Sequence, residues 1–489
     1  FRRVLFRSNL LAISNESSDK QTIYVYDVKS GYTSLLYTTD IPRSGTFNKG
    51  VVTTTSPSAY TFADVTGDGI NNIVVPTVAS VTGLFPISSN QVLPVTMAYS
   101  SINFIVCSRL LSQNYTITAS LNKQKTAPIY ALGDFFGKGI SSIVYIETTA
   151  INGKYHIGYN TPKTKKIDKS LDVAFTQPPQ KIFCSDYNGD GLCDMLITYK
   201  DGYAIAWNQG DGQFSESKIV KYSAWGNFDV MRMGDFNGDG FADFVCNNRN
   251  SNELTILISQ GNGSFSQSVA NNTLDIADHG FTEKDNDKFS IEILDFNDDG
   301  KSDVVVTKPV YKKKHDITGS WGSFQKTYTY WLQSEGTSLK LVKTASSNKA
   351  EDGLCSRFVT GDFDGDGQME LMNYGYDCYA STDANVNSQW HIYKYGEAVS
   401  TNKITQINGD YERLISLSYS SLSNTNVYSK SALHVGLAFT TTIPLHVVSS
   451  TTEDNGVAGA QSTNYKYEDL YIMPQGKGIL GFLRTTANN

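Results

Sequence analysis

One nine-residue acidic loop recurs six times along the chain, each time between short apolar runs. Its pattern is Asp-x-Asn-Gly-Asp-Gly-x-x-Asp or a relative of it. Close copies begin at Asp186 (DYNGDGLCD), Asp235 (DFNGDGFAD), Asp295 (DFNDDGKSD) and Asp362 (DFDGDGQME). A looser copy begins at Asp64 (DVTGDGINN) and a degenerate one at Asp134 (DFFGKGISS). Successive starts are 70, 52, 49, 60 and 67 residues apart. Repeats of this period mean a solenoid, a propeller or an array. A four-stranded propeller blade takes about 40–50 residues, so one loop per blade fits, with insertions in the longer units.

The side chains of the loop specify a hard cation. Ca2+ takes six to eight oxygens at roughly 2.3–2.6 Å in flexible geometry. Loop positions 1, 3, 5 and 9 supply such oxygens, with the carbonyl at position 7 completing the shell. The candidate ligands are Asp64, Thr66, Asp68 and Asn72 in the first copy. They are Asp186, Asn188, Asp190 and Asp194 in the third, and Asp235, Asn237, Asp239 and Asp243 in the fourth. The fifth offers Asp295, Asn297, Asp299 and Asp303, and the sixth Asp362, Asp364, Asp366 and Glu370. Without a cation the carboxylates of one loop would repel each other. In the Asp134 copy Phe136 and Lys138 replace two ligands, so that loop is expected to be metal-free, with the Lys138 ammonium in the cation's place, paired with Asp134.

An EF-hand would need a bidentate Glu at loop position 12. Position 12 holds Val75, Ile197, Cys246, Val306 and Asn373 in the five intact copies, none of them acidic. The flanks are β-branched or aromatic runs, such as Ile73–Val75, Phe244–Cys246 and Val304–Val306, which read as strands. Each loop is therefore expected at the tip of a β-hairpin. A second turn follows several loops: WNQGDGQF (207–214), ISQGNGSF (258–265), WLQSEGTSL (331–339) and YKYGE (393–397). Two hairpins per unit make four antiparallel strands, which is one blade. YVYDVKSGYTSLLY (24–37) matches only the second half of a unit, so residues 9–48 read as the remainder of an incomplete blade.

These loops resemble FG-GAP/VCBS repeats, the blades of integrin-alpha-type propellers, over roughly residues 9–400. The resemblance implies an all-β propeller, seven-bladed with its first blade incomplete, carrying Ca2+ in the loop between the first two strands of a blade. After about residue 400 the acidic loops stop and alternating runs such as LISLSY (414–419) indicate further strands. Residues 401–489, and the GKGILGF element (476–482) in particular, resemble the segment joining a propeller to the RHS/YD-repeat shell in bacterial RHS proteins, including the B component of Tc toxins. Residues 1–8, FRRVLFRS, match no repeat and read as foreign or unstructured.

Composition narrows the partners. The formal net charge is −7, which five divalent cations would more than cancel, so the acidity points to metal and not to a polycation. A basic nucleic-acid face is not expected, because Lys312–Lys314 and the lysines at 163, 165, 166 and 169 read as solvated loops. No run approaches the roughly 18 apolar residues of a membrane span. Cys184 with Cys193, and Cys355 with Cys378, are close enough in sequence to pair, and burial as small apolar groups is the alternative. No Cys-x-x-Cys occurs, which argues against zinc.

No GxSxG, HExxH or phosphate loop is present. GDFFGKGIS (133–141) has the wrong spacing for a phosphate cradle and fills the acidic-loop slot of a repeat. The expected function is a non-enzymatic, calcium-stabilised scaffold of a bacterial RHS or Tc-toxin-B-like protein, secreted, surface-borne or periplasmic. It would dock a protein partner (a toxin component or a cell-surface receptor) or gate a downstream shell. The alternatives are an adhesin-like propeller binding protein or glycan, and a polysaccharide-active enzyme on the same scaffold.

Overall fold

The computed structural model describes most of residues 10–488; outside it lie residues 1–9, 68–71, 108–113, 222–227, 272–289, 348–356, 362–368, 375–389, 396–402 and shorter connections. Every element among the described residues is a β-strand. The strands form seven consecutive antiparallel sheets between residues 10 and 393, then an eight-stranded sheet over residues 406–488. The chain is an all-β propeller with a β-rich C-terminal segment.

The four-stranded blade read from the sequence is the arrangement of the Asp134, Asp186, Asp235 and Asp295 sheets. In the Asp186 sheet, Pro179–Ser185 pairs with Asp194–Tyr199 across the acidic loop, and Gly202–Ala206 and Lys218–Lys221 follow in order. Asp194–Tyr199 and Gly202–Ala206 are buried at every position, as expected for central strands packed on both faces.

Three sheets depart from the plan, the Asp362 sheet by showing three strands among the described residues. The first has three strands, Leu10–Glu16, Lys20–Lys29 and Tyr32–Pro42, and not a lone hairpin. Ser44–Asn48, expected to close that blade, instead pairs with Val51–Pro57 in the six-stranded Asp64 sheet. The Asp64 and Asp295 sheets absorb their extra length as long paired strands: Asn72–Ser88 with Gln91–Cys107, and Asp303–Asp316 with Gly319–Ser334. Lys312–Lys314 therefore lie within a strand, a correction to the loop expected from charge alone. A run of three like charges says nothing about backbone pairing when the partner strand is supplied by the same ribbon.

The core is divided among the gaps between neighbouring sheets. Val144 and Ile157 of the Asp134 sheet pack with Ile182, Met195 and Ala204 of the Asp186 sheet. Leu196 and Tyr203 meet Phe244 and Leu257 in the next gap, and Val245 and Ile256 meet Ile291 and Val304 in the one after. Phe296 and Trp331 continue the series against Leu371 of the Asp362 sheet. A blade that buries both faces explains why its central strands are continuous apolar runs without polar alternation.

Close packing between blades disfavours a side chain at Gly212. A Cβ on Gly212, at φ +66°, would come within 2.5 Å of the Phe136 ring of the preceding blade, whereas one on Gly210, at φ +93°, would meet nothing within 4 Å. Gly210→Ala should cost about 1 kcal/mol through left-handed backbone strain. Gly212→Ala should cost about 2 kcal/mol, because overpacking adds to that strain. Equal shifts in denaturant midpoint for the two variants would refute the contact.

Candidate metal centre

The Asp134, Asp186, Asp235 and Asp295 loops join the first two strands of their sheets, where the sequence places them, and the Asp64 loop lies between Thr61–Ala63 and Asn72–Ser88 of its larger sheet. The carboxylate at position 1 folds the loop around itself. Asp186 accepts the Gly189 amide on Oδ1 at 2.7 Å and the Gly191 amide on Oδ2 at 2.8 Å. Asp235 does the same with Gly238 and Gly240, at 2.7 and 2.9 Å. Asp295 takes the Asp299 and Gly300 amides at 3.1 and 2.9 Å. Positions 3 and 5 make consecutive side-chain turns: Asn188 Oδ1 accepts from Asp190 N at 3.0 Å, and Asp190 Oδ1 from Leu192 N at 2.8 Å. Gly189 and Gly191, at φ +77° and +83°, supply the left-handed backbone the turn needs.

Position 9 does something the sequence did not reveal. Asp194 is fully buried and spends both oxygens on backbone amides, accepting from Tyr187 N at 3.0 Å and from Asn208 N at 2.8 Å. Asp243 bridges Phe236 N and Ser259 N at 2.9 and 2.7 Å, and Asp303 bridges Phe296 N and Ser334 N at 3.2 and 2.8 Å. The position-9 acid thus ties the acidic loop to the second turn of its own blade. Asn208, Ser259 and Ser334 then cap their own turns, with the amides of Gly210, Gly261 and Gly336 at 3.0, 3.3 and 3.2 Å. The only hint in the sequence is that each precedes Gln or Glu and then Gly.

The same second turns reach the neighbouring blade. Asn208 Nδ2 donates to the Phe135 carbonyl at 2.8 Å, and Ser334 Oγ to the Phe236 carbonyl at 2.6 Å. Loops also touch directly: Ser302 N donates to the Asp235 carbonyl at 2.6 Å and Ser141 N to the Asp64 carbonyl at 2.7 Å. The Asp64 and Asp134 loops, and the Asp235 and Asp295 loops, therefore lie edge to edge.

The donor set is all oxygen and crowded with negative charge. Burial first, and the carboxylates beside it second, push Asp194 and Asp243 up to about 7 and Asp303 to about 8, against the amide bonds that pull them down. Asp295 is pushed up to about 6, again chiefly by burial. A divalent cation is the group that would relieve this, and oxygens of Asp at positions 1 and 5 and Asn at position 3 suit a hard one. Among the described residues no three acidic, histidine or cysteine side chains are gathered as a finished cage. This accords with position 9 being held by amides. An oxygen that accepts one amide keeps a lone pair, so bracing and coordination are compatible.

The other copies fall into place around this plan. In the Asp64 loop Asn72 Oδ1 takes both the Val65 and Thr66 amides, at 2.9 and 3.2 Å, and Asp64 accepts from Gly67 at 2.6 Å. Asp68 and the Asp362, Asp364, Asp366 set lie outside the described residues; Glu370, at position 9, is buried with Lys394 Nζ 3.7 Å away. In the Asp134 loop the expected ammonium–carboxylate pair is not formed. Asp134 accepts the Lys138 and Gly139 amides at 3.0 and 2.6 Å, while the Lys138 ammonium lies 5.8 Å from the Phe136 ring centroid. Burial pushes Asp134 upward. The ring, buried against the next blade, draws the ammonium away from the loop. Cys184, Cys193 and Cys246 are free thiols and Cys107 is buried; Cys355 and Cys378 lie outside the described residues.

Three overlapping stretches, residues 186–246, 235–306 and 295–372, match the FG-GAP-like repeat. No curated protein sequence matches the chain. Among solved structures it is similar to an Agrocybe aegerita lectin that recognises non-reducing terminal N-acetylglucosamine, at 16% identity over 75% of this chain and 85% of that one, with a TM-score of 0.43. It is similar to a Bacillus licheniformis rhamnogalacturonan lyase at 12% identity, over 77% of this chain and 80% of that one, TM-score 0.36. It is similar to the Photorhabdus luminescens Tc holotoxin pore at 11% identity over 94% of this chain, TM-score 0.30, and spans 26% of that chain. No helix of the described residues is long and apolar enough to cross a membrane.

Proposed function

We propose that this chain is a non-enzymatic propeller scaffold whose acidic loops bind Ca2+ and whose folded surface docks a protein partner. The observation that carries this reading is the repetition of one arrangement in three consecutive blades. Asp186, Asp235 and Asp295 each accept the position-6 glycine amide on Oδ2, and Asp194, Asp243 and Asp303 each brace their loop to the second turn of the blade. An active site is built once per molecule, whereas a structural device is repeated. Ca2+ would supply the positive charge these loops need. Its ligands would be the side chains at positions 1, 3, 5 and 9 of the Asp64, Asp186, Asp235, Asp295 and Asp362 loops. The resemblance of residues 401–489 to the junction ahead of an RHS shell favours a bacterial secreted or surface protein of that kind, with 9–400 as its propeller.

Two measurements test this. Native mass spectrometry of the whole chain should count five calcium ions, and Asp190→Ala should remove one. If the chain instead cleaves a glycan or peptide panel, and Asp190→Ala abolishes cleavage while calcium count and melting temperature stay intact, the scaffold reading falls. Lys138→Asp combined with Phe136→Asn should raise the count by one. An unchanged count would mean that the Asp134 loop lacks more than these two ligands.

A further inference from the structure

Loop position 4 is glycine in five of the six copies: Gly67, Gly137, Gly189, Gly238 and Gly365. The remaining copy places Asp298 there. Gly67, Gly189 and Gly238 have φ of +74°, +77° and +79°, and Asp298 keeps the same left-handed turn at +58°. A Cβ makes that region unfavourable, and such outliers persist where the surroundings hold them.

What holds Asp298 comes from far along the chain. Its Oδ2 accepts a hydrogen bond from Lys403 Nζ at 2.6 Å and lies 3.3 Å from His446 Nδ1. Lys403 leads into the strand Gln406–Asn408, and His446 opens the strand His446–Asp454, both in the C-terminal sheet. The Lys403 and His446 side chains are 16% and 13% exposed and Asp298 is 31% exposed, so the contact is partly shielded from water, which strengthens a charge-assisted bond. Asp298 sits between Asn297 and Asp299, whose side chains and amides shape the loop. Glycine at this position would relieve the backbone and lose the contact.

We propose that Asp298 is a latch that fastens the C-terminal sheet to the propeller and makes the order of the Asp295 loop felt in that sheet. The latch stands on the contacts alone, while its response to a cation rests on the calcium reading above. In the other loops position 4 is glycine and offers no side chain, whereas here it reaches a neighbouring module. Removing calcium should therefore loosen the C-terminal sheet through this loop.

Hydrogen exchange read by mass spectrometry on the full chain tests the latch. Asp298→Gly restores the glycine of the other loops and should leave calcium count and circular dichroism unchanged. It should raise amide exchange in residues 406–408, 414–421 and 446–454 about tenfold. Lys403→Met should do the same from the other side of the contact. Unchanged exchange in both variants overturns the latch. In the unsubstituted chain, calcium removal should raise exchange in the same strands, and in Asp298→Gly it should add nothing. If calorimetry shows calcium leaving while those strands exchange as before, transmission is refuted and the latch is judged by the two variants. If calorimetry finds no calcium bound, the calcium reading falls, and the latch is again judged by the two variants.

Discussion

Chelating calcium with EGTA is expected to lower the melting temperature of the chain by on the order of 10 °C. A ligand that binds only the folded state stabilises it by roughly 2.7 kcal/mol per site at a hundredfold excess over Kd. Calcium in five loops of one cooperative fold would multiply the effect. The metal-free protein retains buried acids at Asp194, Asp243 and Asp303 that burial and their neighbours drive to about 7, 7 and 8, well above the ordinary carboxylate range. Magnesium should restore the melting temperature poorly, because its smaller octahedral shell fits a flexible oxygen loop badly. Identical melting curves with and without EGTA would remove calcium from the account of this fold.

Asp194→Ala should destabilise the chain by about 4 kcal/mol even in EGTA. The reason is independent of metal. The Tyr187 and Asn208 amides would lose their acceptor inside the blade, at roughly 1–3 kcal/mol for each unsatisfied group. Asp190 is exposed and accepts only within its own loop, from Leu192 and Asn188, so Asp190→Ala should cost under about 1 kcal/mol in EGTA. Asp194→Asn should fall between the two, since it keeps one acceptor oxygen. Asn72 shows that arrangement in the Asp64 loop, with Oδ1 serving two amides and Nδ2 buried without a partner. Urea titrations in EGTA would measure the order. If Asp194→Ala costs no more than Asp190→Ala, position 9 is a metal ligand and not a brace.

Much of this was written locally. The Asp/Asn/Gly spacing of DYNGDGLCD fixes a loop that turns on its own side chains, because every partner of Asp186 lies within five residues. The β-branched runs on either side fix the hairpin, and the period fixes one hairpin of this kind per blade. Where the partner was distant, spacing had nothing to say. Asn208 and Ser334 receive position 9 through backbone N–H groups, which any residue but proline supplies, so residue type carried little signal. Lys138 had both a carboxylate and an aromatic face within reach, and the burial of Phe136 by the next blade decided between them.

The sequence by itself determined the repeat, its loop chemistry and the all-β class, because these rest on side chains and turns a few residues apart. Only the tertiary structure decided how those units are joined. It set which second turn braces which loop, which strands the Asp64 sheet borrows from residues 44–57, and that Asp298 meets Lys403 and His446. Such contacts depend on chain closure over tens to hundreds of residues, where geometry, and no local pattern, selects the partner.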